Sequence, residues 1–368
     1  MTSSVRGRQL PDFPWDSLAA HASTARSHPD GVVDLSVGTP VDPVPETIQQ
    51  ALSSVAEVPG YPATHGTPAL REATAAALHR RFGVPGLNPD AVLPTIGSKE
   101  MVAWLPTLLG LGASDTVVIP ELAYPTYEVG AKLAGAQVLR SDGLLAAGPA
   151  RPGLVWLNSP SNPTGRVLGI PHLRKVVSWA RERGVVIASD ECYLGLGWDE
   201  PGPVSILHPS VCDGDFTGLL AVHSLSKVSN LAGYRAGFVT GDPALVAELL
   251  GVRKHAGLIV PRPVQAAMTA ALSDDEHLEL TRQRYAARRK VLSAALADAG
   301  FAISHSEAGL YLWASRGEDA WDTVRWLAER GILVAPGTFY GPAGGQHVRV
   351  SLTATDERVD TAAARLTT

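Results

Sequence analysis

The sequence predicts an α/β fold organised around a mainly parallel sheet. Apolar runs recur at residues 116–119, 154–157, 185–188 and 219–222, and each gives way at once to a polar loop. Helix-length stretches such as 172–183 separate them, and alternation of this kind builds crossovers between parallel strands. At 368 residues the chain has material for one large domain and a smaller one. In such sheets ligands gather outside the carboxyl ends of the strands, so the polar loops are where chemistry is expected.

The richest of those loops follows the run 219–222. It reads Ser224-Leu225-Ser226-Lys227, then Gly233-Tyr234-Arg235-Ala236-Gly237. An amine held at the end of a buried strand suits a covalent link to a carbonyl carbon. Ser224, Ser226 and Arg235 are placed to hold an anion beside it.

The earlier elements supply further candidates. Residues 32–40 read as a short strand ending at Gly38, where backbone approaches a ligand closely or simply turns. A helix-like stretch over 45–55 precedes the loop Tyr61-Pro62-Ala63-Thr64-His65-Gly66. The run 92–95 leads through Gly97, Ser98 and Lys99 into an apolar helix over 101–111. The first turn of that helix has N–H groups with no partner inside it, so the segment reads either as a phosphate cradle or as a plain N-cap. Tyr124 lies just beyond the run 116–119, and Tyr127 is assigned to packing. Asn162 sits in an Asn-Pro-x-Gly turn after the run 154–157. Asp190 and Tyr193 follow the run 185–188.

From about residue 242 a long helical stretch, interrupted at 257–263, is expected to join the large domain to a small one beginning near Phe301. The chain is divided accordingly: residues 1–33 form an arm and part of the small domain, 34–255 the large domain, and 256–368 the joining helix and small domain. The last strand, 347–352, alternates polar and apolar positions, with Arg349 on the polar side. The first dozen residues are expected to be poorly ordered.

Composition narrows the classes. Acidic residues exceed basic ones by 36 to 31, for a net charge of −5, and no basic run tracks a nucleic-acid backbone. No stretch is apolar for the length of a membrane span, and the amino terminus has no signal-like apolar core, so a cytoplasmic protein is expected. Cys192 and Cys212 form neither a disulfide framework nor a metal-ligand spacing, and no metal is expected; Cys192 is read as a small buried filler. A Gly-x-Gly-x-x-Gly turn and a Walker-type Gly-Lys-Ser/Thr are both missing, which disfavours a nicotinamide dehydrogenase or a nucleotide hydrolase.

The Ser-x-Ser-Lys…Gly-x-Arg-x-Gly pattern resembles the lysine region of the class I and II aminotransferases, and the resemblance extends from Asp34 to Leu352. It implies fold type I of the pyridoxal 5'-phosphate enzymes: a seven-stranded, mainly parallel sheet with helices on both faces and a smaller α+β domain. It also implies roles. Lys227 carries the cofactor aldehyde and later moves the substrate α-proton. Asp190 meets the pyridine nitrogen, Tyr193 and Asn162 the phenolic oxygen, and Tyr124 stacks on the ring. Gly97, Ser98, Lys99, Ser224, Ser226 and Arg235 surround the phosphate, joined by Tyr61 from the second subunit of a homodimer. Arg349 grips the α-carboxylate with a two-pronged bond, near Gly38 and Asn162.

The runs at 32–43, 60–71 and 97–100 look similar to the actinobacterial N-succinyldiaminopimelate aminotransferases of lysine biosynthesis. This implies ping-pong exchange of an amino group between glutamate and a long dicarboxylate. Arg262 and Lys99 are candidates for the distal carboxylate; Arg262 is equally read as a surface arginine on a proline-stiffened hinge. The alternatives are an aminotransferase for aspartate, aromatic amino acids or alanine, and a cysteine-sulfur lyase. A cofactor-binding DNA regulator is disfavoured, because no basic winged-helix segment precedes Asp34.

Overall fold

The computed structural model describes residues 4–5, 8–143 and 151–367, with side chains from residue 10. Seven strands form the large sheet: β1 (Val92–Ile96), β2 (Thr116–Ile119), β3 (Gln137–Arg140), β4 (Leu154–Asn158), β5 (Val186–Asp190), β6 (Leu219–Ser224) and β7 (Ala236–Gly241). Their spatial order is β1-β7-β6-β5-β4-β2-β3. Only β7 runs against its neighbours; the pairings from β6 to β3 are all parallel. β4, β6 and β7 are buried along their whole length, which is why the first two read as apolar runs rather than alternating ones.

Register fixes the chemistry. Asn158 pairs with Asp190, and Asp190 with Val222, so the carboxyl ends of β4, β5 and β6 lie side by side. The loops bearing Asn162, Asp190 and Lys227 therefore leave the sheet along one rim.

The stretch 242–298 is three helices, Pro243–Ala256, Arg262–Ser273 and Glu276–Asp298, rather than one helix with a single interruption. The additional break falls at Asp274, whose extended backbone lets its carboxylate accept the N–H of Glu276 at 2.9 Å. Beyond it, β8 (Ala302–Ser304), β9 (Tyr311–Ser315), β10 (Ala335–Pro336) and β11 (Val348–Ser351) make an antiparallel sheet ordered β8-β9-β11-β10.

Residues 32–40 hold strand only at Val33–Asp34, which pairs parallel with Ile332–Leu333. This pair is a separate two-stranded sheet that ties the amino-terminal segment to the carboxyl-terminal part of the chain, and the boundary drawn at residue 33/34 falls inside it. Among the described residues no helix is long and apolar enough to cross a membrane, and no cluster of His, Cys, Asp and Glu is arranged to hold a metal.

Candidate active site

A cavity of about 1000 Å³ opens above the carboxyl ends of β4, β5 and β6, between the large sheet and the carboxyl-terminal one. Lys227 enters it from the short helical turn Leu225–Val228 and donates a hydrogen bond to the carbonyl of Gly38. Burial holds its amine below the usual lysine range, and the nearby guanidinium groups of Arg349 and Arg235 act in the same direction.

One end of the cavity is built to receive an anion. Ser224, Ser226, Ser98 and Arg235 line it together with Lys99. Gly97 precedes the helix Ser98–Leu108 with φ +71°, and a Cβ there would lie 2.3 Å from Nη2 of Arg235. The glycine therefore leaves room for the guanidinium against the helix N-terminus, and hydroxyl, guanidinium and N–H donors converge there. Ser98 also accepts a hydrogen bond from the Cys192 thiol at 3.2 Å. Cys192 is buried, as a filler should be, but it lines the cavity as well.

Asp190 forms the floor. Its Oδ2 accepts from the Tyr127 hydroxyl at 2.8 Å and its Oδ1 from the N–H of Cys192 at 3.3 Å. Burial raises its pKa, and these two donors oppose that shift. The assignment of Tyr127 to packing alone is corrected here. Its ring does stack on Trp156, with centroids 5.0 Å apart, but the hydroxyl reaches across to hold the carboxylate. Tyr124 stands edge-on to Tyr127 at 5.9 Å and lines the cavity, with its phenol pushed up to about 12 by burial.

The opposite wall carries Arg349. Although its strand reads as alternating, all of β11 is buried and Arg349 is only 2% exposed. Its Nη1 donates to Oδ1 of Asn162 at 2.9 Å and its Nη2 to the Ser36 carbonyl at 2.7 Å, while Nε has no protein partner. The guanidinium lies 3.9 Å from the ring centroid of Tyr311 and 5.9 Å from that of Trp15. An unpaired N–H beside two exchangeable bonds suits a carboxylate that would replace them. Tyr193 and Tyr311 share a hydroxyl–hydroxyl bond of 3.2 Å, and Gly38 backs onto Tyr311 so closely that a Cβ would strike its hydroxyl.

Two candidates lie elsewhere. Tyr61 is fully exposed outside the cavity, and Arg262, the first residue of its helix, does not line it. The sequence reading also missed the segment Leu10–Trp15, which forms part of the cavity wall; of the dozen residues expected to be poorly ordered, Leu10, Pro11 and Asp12 belong to it, and residues 1–3 and 6–7 lie outside the described residues. The rings of Phe13 and Trp15 lie 5.6 Å apart in a tilted arrangement, and Trp15 meets Phe339 at 5.3 Å. Two aromatics flanking a proline in a polar terminus were the signal for this packing.

Comparison with known proteins agrees with this geometry. The sequence model of the family described as aminotransferase class I and II matches residues 30–366. The chain belongs to this family. A probable aminotransferase of Mycobacterium tuberculosis is 68% identical over 97% of this chain and 85% of its own length. A 4-dedimethylamino-4-oxo-anhydrotetracycline transaminase of Streptomyces rimosus is 59% identical, over 98% of this chain and 100% of its own. Among solved structures, the N-succinyldiaminopimelate aminotransferase of Mycobacterium tuberculosis superposes with a TM-score of 0.84 at 27% identity, covering 97% of this chain and 99% of that one. These relationships make the fold that of the type I aminotransferases and the cofactor pyridoxal 5'-phosphate. When bound, that cofactor supplies an aldehyde and an electron-withdrawing ring that accepts charge as the α-proton leaves. The anion pocket, the buried carboxylate on the floor and the Lys227 amine in the same cavity fit such a group.

Proposed function

We propose that this enzyme moves an amino group between glutamate and N-succinyl-LL-2,6-diaminopimelate, in two half-reactions at one site. The observation that carries the transaminase reading is that Lys227, Asp190 and Arg349 line one cavity from three separate elements. Arg349 would grip the α-carboxylate common to both substrates, releasing Asn162 and the Ser36 carbonyl. Asp190 would hold the ring nitrogen, with Tyr193 and Asn162 toward the phenolic oxygen and Tyr124 on the ring face. Ser98, Lys99, Ser224, Ser226 and Arg235 would hold the phosphate, with Gly97 giving access. Lys227 Nζ, whose affinity for a proton burial lowers, would take the proton from the substrate Cα.

A long second arm is supported by the size of the cavity and by the Lys99 amine on its wall, which lies 5.8 Å from the centroid of the Phe13 ring. The likeness to the solved N-succinyldiaminopimelate aminotransferase supports the same choice. We further propose a homodimer in which the exposed Tyr61 reaches the phosphate of the neighbouring subunit. The specificity role of Arg262 needs the same assembly, because in its own subunit it lies away from the cavity.

A second reading has its own observation. The wall formed by Phe13, Trp15 and Phe339 is aromatic and apolar, which suits a flat polycyclic ketone such as the one in the name of the 59%-identical relative.

One experiment separates them. The holoenzyme's absorbance is followed as glutamate, then N-succinyldiaminopimelate, then an aromatic amine donor is added, with Lys227→Ala as control. Conversion of the cofactor band by the first two supports the proposal. Conversion by glutamate and the aromatic donor alone moves the assignment to the second reading. Loss of all conversion with wild-type protein would remove the transaminase reading altogether.

A further inference from the structure

The anion pocket rests on an ion pair that does not line the cavity. Glu100 is in the first turn of the helix Ser98–Leu108, directly after Ser98 and Lys99. Its Oε2 accepts the N–H of Ile96 at 3.1 Å, which pins the peptide leading into Gly97. Arg253, fully buried on the helix Pro243–Ala256, grips the same carboxylate with Nη1 at 2.6 Å and Nη2 at 3.0 Å. Its Nη2 also donates to the Leu258 carbonyl at 3.2 Å, so the pair is braced from the turn after that helix.

A carboxylate one turn from a phosphate site presents a problem of sign. It would repel the dianion and compete for the positive end of the helix. We propose that Glu100 and Arg253 are a positioning pair for the phosphate of pyridoxal 5'-phosphate. Glu100 fixes the backbone of the cradle, and Arg253 removes the charge that this fixing introduces. The inference rests on that cofactor assignment and concerns residues that never touch the cofactor themselves.

The test measures dissociation constants of the apoprotein for pyridoxal 5'-phosphate and for phosphate-free pyridoxal, by fluorescence titration. Arg253→Met should weaken pyridoxal 5'-phosphate by roughly tenfold or more and pyridoxal by less than about twofold. Adding Glu100→Gln to that variant should recover most of the loss, since the uncompensated charge is gone. Equal weakening of both ligands, or a double variant that binds as poorly as the single one, would overturn the proposal. If Arg253→Met does not fold, the Glu100 variants decide the matter. Glu100→Gln keeps an acceptor for Ile96 and should bind pyridoxal 5'-phosphate at least as well as wild type; Glu100→Ala should weaken it. Equal losses in both would overturn the proposal too. Wild-type protein that binds neither ligand would count against the cofactor assignment instead.

Discussion

The hydroxyl of Tyr127 donates to Oδ2 of Asp190 at 2.8 Å, joining the helix Thr126–Ala134 to the carboxyl end of β5 beneath the site. Both groups are buried, and Asp190 lines the cavity together with Lys227.

Tyr127→Phe removes a donor that favours the charged carboxylate, so the pKa of Asp190 moves further up. With Asp190 in its proposed role as a carboxylate, activity should be lost at a higher pH than in wild type as pH falls. At neutral pH kcat should drop about tenfold, with KM for glutamate little changed, and stability should fall by about 1–2 kcal/mol. Steady-state kinetics from pH 5 to 9, together with urea melts, check both effects. An unshifted acid limb would show that Tyr127 only packs.

Gly97→Ala places a Cβ against Arg235 and strains a backbone held at φ +71°. The Arg235 side chain has to swing away, taking one donor from the anion pocket. The dissociation constant for pyridoxal 5'-phosphate should rise roughly tenfold, while the apoprotein loses about 1 kcal/mol of stability. Cofactor titration alongside thermal melting distinguishes the two losses.

Arg349→Lys keeps the charge but not the planar fork. An ammonium group cannot present two parallel N–H donors to a carboxylate once Asn162 and the Ser36 carbonyl are released. KM for glutamate should rise roughly a hundredfold, with cofactor affinity unchanged. A variant with near-normal KM would move the carboxylate site elsewhere.

Behind the site, Glu191 Oε2 lies 3.4 Å from Nε2 of His223, and neither atom has a hydrogen-bond partner. Burial pushes Glu191 up to about 7, from an ordinary value near 4.5, and pushes His223 down to about 3. The folded state thus favours the protonated acid. Its contribution to stability is fully present below about pH 4.5 and is lost as pH rises through about 7. His223 contributes in the opposite sense, with stability gained as pH rises from about 3 through its ordinary value of 6.5. Glu191→Gln removes only the first contribution. Its stability relative to wild type should therefore improve between pH 5 and pH 8, by on the order of 3 kcal/mol at most. Denaturant melts at the two values check this; a flat difference would mean that Glu191 is ionised throughout.

The parts of the site visible in the sequence are those carried by loops that directly follow buried strands. Asn162, Asp190 and Lys227 come after apolar runs, and a parallel sheet sets the carboxyl ends of those runs on one rim. Gly97 and Ser98 were legible for a related reason, since a helix entry with a glycine before it presents unpaired N–H groups.

What the chain alone determined, then, was an α/β fold and a line of reactive groups whose chemistry depends on the segment that each one occupies. The tertiary structure decided which distant residues meet. Arg349 reads as the exposed side of an alternating strand, yet it is enclosed by Tyr311 from the neighbouring strand and Trp15 from the amino terminus. Tyr127 reads as packing until β5 brings Asp190 to its hydroxyl, and Glu100 reads as an ordinary first-turn acid until Arg253 arrives from another helix. Periodicity reports which face of a segment is apolar; it carries no information about what covers the polar face. That depends on contacts between residues 63, 153 and over 300 positions apart, and those contacts exist only once the chain has folded.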